Sequence, residues 1–173
     1  LTGAAPITVA TITVNGVAAQ PTWTTVTGWT LRVALQPGVN NLVIQGLNNQ
    51  GQPVSGATAA LAVTFTGTLE PPRERIVINE IMYHPAVPDA DFVELHSTAT
   101  NTAYDLSNWR FNGLDGTILP GTILEPGGFL VFVKNRDEFA RVYGASIPIA
   151  GVFEGTLDNG GETLSLIRPG ATQ

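Results

Sequence analysis

Apolar residues recur at every second position in several short stretches of this chain, and each stretch ends in residues able to reverse the backbone. Ile12 and Val14 show the period, as do Trp29, Leu31, Val33 and Leu35, and then Leu61, Val63 and Phe65. A period of two turns one side of an extended strand to a core and the other to water, which the 3.6-residue repeat of a helix cannot do. The punctuation is specific. Asn15-Gly16 suits a primed turn, Pro37-Gly38 presets one dihedral and permits a positive one next, and Asn48-Asn49-Gln50-Gly51 is a polar reversal. Residues 29–35 and 41–46 flank Pro37-Gly38 and are expected to pair antiparallel, with Leu42 and Ile44 facing inward.

Glycine at 19 and proline at 12, with abundant Thr and Val, favour short strands over helices. A hydrophobic fraction of 43% with 13% charged residues lies far from the composition of disordered chains. The chain is therefore read as all-β and folded. Its 173 residues suit one large domain or two small ones. The choice comes from Gly67-Thr68-Leu69-Glu70-Pro71-Pro72-Arg73-Glu74-Arg75, which breaks the alternation and supplies two prolines that cannot donate to a ladder. The reading is a first domain over 1–69, a stiff linker over 70–75 and a second domain over 76–173.

The second segment opens with Ile76-Val77-Ile78-Asn79-Glu80-Ile81-Met82 and continues through Phe92-Val93-Glu94-Leu95-His96. Phe129-Leu130-Val131-Phe132-Val133 is a near-continuous apolar run, the mark of a central strand. Directly after it, Asn135 can cap a short helix through Tyr143, closed by Gly144. It is the one helix the sequence predicts.

Five motifs in the second segment agree in order and spacing with a known family. They are Ile78-Asn79-Glu80-Ile81-Met82-Tyr83-His84-Pro85, Asp91 to His96, Tyr104-Asp105-Leu106-Ser107-Asn108-Trp109-Arg110-Phe111, Leu124 to Val131, and Gly155-Thr156-Leu157-Asp158-Asn159-Gly160-Gly161-Glu162-Thr163-Leu164-Ser165-Leu166. On these residues the segment resembles a bacterial lamin tail domain, which implies an immunoglobulin-like β-sandwich. Ser97 and Asn108 stand where members usually show Asn and Gly. Members usually continue into one more strand after the final glycine turn, so a missing last strand is expected. Residues 1–67 resemble a bacterial immunoglobulin-like repeat through Val14-Asn15-Gly16-Val17 and Leu35 to Leu42, and such repeats usually begin with an earlier strand. The architecture expected is two tandem immunoglobulin-like β-sandwiches, with one short helix in the second. Open edge strands invite a homodimer or strand exchange. Bacterial lamin tail modules accompany hydrolase, nuclease or adhesion regions, so the resemblance implies an extracellular or cell-surface accessory module whose partner is a protein or a surface polysaccharide.

The net charge of −6 and eight scattered basic residues (Arg32, Arg73, Arg75, Arg110, Lys134, Arg136, Arg141, Arg168) provide no footprint for phosphate backbones. Nucleic acid and anionic membrane are excluded as expected partners. With zero cysteines there are no disulfides and no thiolate metal sites. No stretch approaches the roughly 18 apolar residues of a membrane span, and the first residues carry no positive leader pattern.

The densest polar group is Asn79, Glu80, His84, Asp89, Asp91, Glu94 and His96, residue types that a metal site or an acid–base pair would use. On a strand, however, Glu94 and His96 share a face with Phe92 while Val93 and Leu95 share the other. Ion pairs and turn hydrogen bonds draw on the same residue types. No catalytic residue and no cofactor are assigned, and the chain is not read as an enzyme. Asp89-Ala90-Asp91 resembles the opening of a calcium loop without its glycine and distal Glu at the required spacing. Asp89, Asp91 and Glu94 are therefore the candidates for a surface calcium. Asn112-Gly113-Leu114-Asp115-Gly116 and Asp158-Asn159-Gly160-Gly161 read as turns. Among Trp23, Trp29, Trp109, Tyr83 and Tyr104, core packing suits Trp29 and Trp109. Trp23 follows Pro21 in a polar stretch and is the candidate ring for stacking on a sugar. Neither His84 nor His96 lies near a glycine-flanked serine, so no Ser-His-Asp arrangement is legible.

Overall fold

Asn15 and Gly16 both take positive φ, 50° and 82°, the pair of left-handed residues a primed two-residue hairpin requires. They join β2 (Thr11–Val14) to β3 (Val17–Ala18), within a first unit that spans Leu1–Leu69. The computed structural model describes residues 1–158, 160–161 and 163–170. Asn159 and Glu162 of the last glycine-rich motif lie outside the described residues, as do 171–173. Besides β2 and β3 the first unit contains β1 (Thr2–Ala4), β4 (Thr22–Trp23), β5 (Gly28–Thr30), β6 (Gly38–Leu47) and β7 (Pro53–Phe65). They form two sheets, in the orders β1-β5-β4 and β3-β2-β6-β7. Ile12, Trp29, Leu31, Leu42 and Ile44 fill the space between them, with Val33, Leu35, Leu61 and Val63 packed alongside. The inward alternation expected of these residues is thus realised.

The pairing expected between 29–35 and 41–46 is not. Strand β5 pairs with β1 and β4, whereas β6 pairs with β2 and β7. The Pro37-Gly38 bend therefore carries the chain from one sheet to the other instead of closing a hairpin. The reason is burial on two walls. Trp29 and Leu31 are needed opposite Leu42 and Ile44, and a hairpin would have put all four in one sheet. Gly38 takes φ 96° as the turn reading required, and Asn40 stabilises the bend by accepting from the Gln36 N–H and donating to its C=O, each at 2.8 Å. Asn48 does the same work for the β6–β7 connection, its Oδ1 accepting from the Gln50 and Gln52 N–H groups.

The second unit spans Glu70–Gln173. Its elements are α1 (Pro72–Arg75), β8 (Ile76–Met82), β9 (Phe92–Ser97), β10 (Tyr104–Asp105), β11 (Arg110–Asn112), β12 (Ile123–Leu124), β13 (Phe129–Val133), α2 (Arg136–Tyr143), β14 (Ile149–Val152) and β15 (Ser165–Ile167). Residues 70–75, read in the sequence as a linker, fold as part of this unit, and Pro72-Arg75 adds a single helical turn to the one helix expected. Proline fits there because the first residues of a helix have no intrahelical acceptor to lose.

The main sheet runs β14-β13-β9-β8, with β13 parallel to β14 and antiparallel to β9. Two smaller ladders, β10-β12 and β11-β15, close the sandwich against it. Val93, Leu95, Leu130 and Phe132 point into the sandwich together with Leu106, Phe111, Ile118 and Phe153. Phe92, Val131 and Val133 point the other way and are covered by Phe139 of α2. The apolar run is continuous because both faces of residues 130–133 are covered, while Phe129 is left exposed to stack on His96.

Phe132, fully buried, lies 5.4 Å from the ring of Phe111 and 5.6 Å from that of Phe153. A Cβ on Gly151 would stand 2.7 Å from the Phe132 ring and 2.8 Å from a backbone oxygen, so only glycine permits this approach. Asn135 caps α2 by accepting from the Asp137 and Glu138 N–H groups, and Gly144 follows at φ 108°. Asn108 takes φ 61°, a left-handed conformation that Asn tolerates better than other side chains. No helix among the described residues is long and apolar enough to cross a membrane.

Phe132→Ala should destabilise the second unit by about 3–5 kcal/mol and Asn135→Ala by about 1 kcal/mol. Denaturant titrations that follow the unfolding of this unit will measure both.

Candidate functional site

The seven polar residues clustered in the sequence between 79 and 96 separate into local groups once the strands form. Asn79 lies where the β8–β9 register shifts and donates from Nδ2 to Glu94 Oε1 at 2.7 Å. Glu80 sits directly opposite Glu94 in the same ladder. Like residues directly opposite in a ladder are unfavourable when charged, and the Asn79 amide gives Glu94 a local hydrogen-bond donor.

His96 belongs to a different contact. Its ring stacks on Phe129 of the neighbouring strand, centroids 4.2 Å apart and planes 8° from parallel. His84 is exposed in the segment after β8, its ring 6.4 Å from that of Tyr83.

Asp89 and Asp91 form the third group, with Lys134. Asp89 takes φ 62°, and its Oδ1 lies 2.9 Å from Lys134 Nζ. Asp91 is buried, and its backbone oxygen accepts from the Lys134 N–H at 3.0 Å. The hydrogen bond that the Lys134 ammonium donates to Asp89 pushes it above its ordinary value, the fields of Asp91 and Asp89 add to that, and partial burial works against it. A protein cation thus occupies the charge position at the loop read as a calcium candidate, while Glu94 is engaged by Asn79. Among the described residues no three of His, Asp and Glu gather in a way that could hold a metal ion.

Trp23 is 39% exposed. It stands opposite Trp29 in the β4–β5 ladder, on β4, an edge strand of the β1-β5-β4 sheet. Trp29 is buried, and its indole Nε1 has no hydrogen-bond partner. It lines a cavity of about 80 Å³ together with Ala4, Ile12, Ile44 and residues 56–59. Trp109 packs against the second core, and Tyr104 is buried there. The 112–116 segment turns at Gly113, φ 98°, while Leu114 enters the core. Asp158 Oδ1 accepts from the Gly160 N–H at 2.7 Å, a turn contact.

The best organised carboxylate belongs to a residue that the sequence reading placed in the linker. Glu70 Oε1 accepts from the Thr100 N–H at 2.8 Å and the Asn101 N–H at 3.3 Å. Its Oε2 lies 2.7 Å from Arg75 Nε, an ion pair in which that N–H is not aligned for a hydrogen bond. The Glu70 backbone also donates to Thr102 Oγ1 and accepts from the Tyr104 hydroxyl at 3.1 Å. The Thr100 N–H, aided by Asn101 and Arg75, holds the Glu70 carboxyl below its ordinary value against the opposing effect of desolvation. Burial raises the Tyr104 phenol, and the Glu70 charge adds to the rise. Glu70 directly before the Pro-Pro pair and Arg75 directly before a strand were the only trace of this knot in the sequence. Its partners at 100–104 come from a distant loop.

What these contacts define is an all-β, immunoglobulin-like sandwich whose polar side chains engage one another. The family follows from a direct comparison: residues 70–173 match the Lamin Tail Domain, and the chain belongs to that family. The match begins at the same residue, Glu70, as the second unit. A lamin tail domain is a noncatalytic immunoglobulin-like domain. Neither a curated protein nor a solved structure was found to match the chain.

Because the folded pKa of Glu70 is depressed, its contribution to stability is full above the ordinary carboxylate value of 4.5 and is lost as pH falls through the folded value. Glu70→Gln should remove this part of the acid-side loss. Thermal unfolding at pH 3 to 7 will show a shallower acid-side decline for the variant, and an unchanged decline would refute the assignment.

Proposed function

We propose that this chain is a noncatalytic interaction or spacer region of a larger bacterial exported or cell-surface protein. The observation that carries the reading is the separation of the 79–96 polar residues: Glu94 bonds to Asn79, His96 stacks on Phe129, Asp89 pairs with Lys134, and His84 stands exposed in the segment after β8. Catalysis by general acid and base needs such groups converging on one reacting atom. Membership in the lamin tail family supports the same reading for the second unit. The bacterial and extracellular setting rests on the resemblance of residues 76–173 to bacterial members and of residues 1–67 to a bacterial immunoglobulin-like repeat.

A ligand-binding module accessory to a secreted enzyme is the competing reading, and one observation favours it. Trp23 keeps a partly accessible ring on the edge strand of a sheet, a position from which it could stack on a sugar. Calcium is the other ligand considered, at Asp89 and Asp91, where it would compete with Lys134.

A glycan array and calcium titration calorimetry on the full chain separate the two. The interaction or spacer reading expects no glycan signal above background and flat calorimetric traces. Glycan binding that disappears in Trp23→Ala, or calcium heat that disappears in Asp89→Asn, would replace it with the ligand-binding reading.

A further inference from the structure

The first unit carries a single formally charged side chain, Arg32, whereas all 14 acidic residues of the chain lie in the second. This neutrality has its strongest consequence at the free edge of β7. That strand ends the order β3-β2-β6-β7, runs for 13 residues and contains no charged residue.

The backbone groups on this edge can be assigned from β6. The Asn15 N–H donates to Val43 O at 2.8 Å, and the Val43 N–H donates to Asn15 Oδ1 at 2.8 Å, so Val43 directs both groups toward the β2 side. Alternation along an antiparallel ladder then turns Leu42 and Ile44 toward β7, where they face Leu61 and Ala59. Thr58, Ala60, Ala62 and Thr64 are left with N–H and C=O groups pointing off the sheet, and all four residues are exposed.

Natural sheets protect such edges with charge, proline, bulges or brevity. Strand β7 places Pro53 and Gly56, with φ 74°, in its first four residues, where its register with β6 also shifts. From Thr58 onward it has none of these protections. The edge strand β8 of the second unit differs, carrying Glu80 and a register shift at Asn79.

We infer that β7 is a pairing surface for a second copy of this chain. The two strands run antiparallel about a twofold axis at Leu61, with Ala60 opposite Ala62 and Thr58 opposite Thr64. The occupant follows from self-complementarity. A twofold axis sets each residue against a member of the same group, and this group is neutral and small, so neither like charge nor bulk opposes the contact. The register uses all four outward residues and forms about eight backbone hydrogen bonds. It also brings the half-buried Leu61 against its symmetry mate. A strand from an unrelated protein would find no charge on this edge with which to be selected. The inference rests on the interaction reading above and supplies its partner.

Sedimentation equilibrium of the full chain at high micromolar concentration should give twice the chain mass of 18.2 kDa. Ala60→Lys combined with Ala62→Lys sets like charges face to face and should return the mass to 18.2 kDa. Ala60→Lys combined with Ala62→Glu sets opposite charges across the axis and should restore the dimer, less so at high salt. Circular dichroism checks that each variant keeps its sheets, which these solvent-facing positions allow. A monomeric wild type, a dimer indifferent to the double-lysine change, or no recovery with the Lys and Glu pair would each overturn the proposal. A monomer with flat glycan and calcium titrations removes the pairing and leaves the spacer reading. Ligand binding by an intact dimer does the reverse.

Discussion

Burial of β13 on both faces is the constraint around which the second unit is arranged. Phe132 fills the sandwich between Phe111 and Phe153, while Val131 and Val133, one residue to either side, are covered by Phe139 from α2. A strand used in this way has no face left for a polar side chain. The capped helix directly after it is needed to keep Val131 and Val133 dry, and Gly151 is needed because the next strand must pass within contact of the Phe132 ring. Among the polar residues, Glu94, His96 and Asp89 find separate partners in Asn79, Phe129 and Lys134.

The two units reach similar architectures with different materials. The second holds its distant loops with charge-assisted contacts, of which Glu70 is the fullest example. One carboxylate there ties the 100–104 segment to the entry of the unit through two N–H groups, and its backbone binds Thr102 and Tyr104. The first unit relies almost wholly on apolar packing and on Asn, Gln and Thr side chains bonded to backbone, as at Asn15, Asn40 and Asn48. Such groups satisfy turns as well as charges do. They do not repel an approaching copy, so the same economy leaves a bare strand edge without defence.

The elements that could be read from the chain are those set by neighbouring residues. The Asn15-Gly16 turn, the helix between Asn135 and Gly144, and the central run 129–133 each depend on residues adjacent in sequence, and each is found where it was expected. The 29–35 and 41–46 pairing was misread because Pro37-Gly38 suits a hairpin and a sheet crossing equally well. Only the need to line two opposed walls with Trp29, Leu31, Leu42 and Ile44 decides between them. At the site level, the proximity of Asn79, Glu80, Asp89, Asp91, Glu94 and His96 in the chain suggested one cluster. Strand alternation and the register shift at Asn79 distribute them among different neighbours.

Alternation, turn chemistry and capping thus determined the all-β class, the inward residues and the ends of several elements, because these follow from the conformational preferences of a few consecutive residues. Folding in three dimensions decided which strands pair, which partner each charge takes and which edge stays open. Those outcomes depend on long-range burial: a residue 30 positions away, as Thr100 is from Glu70, becomes a nearest neighbour only after the second unit has chosen its walls.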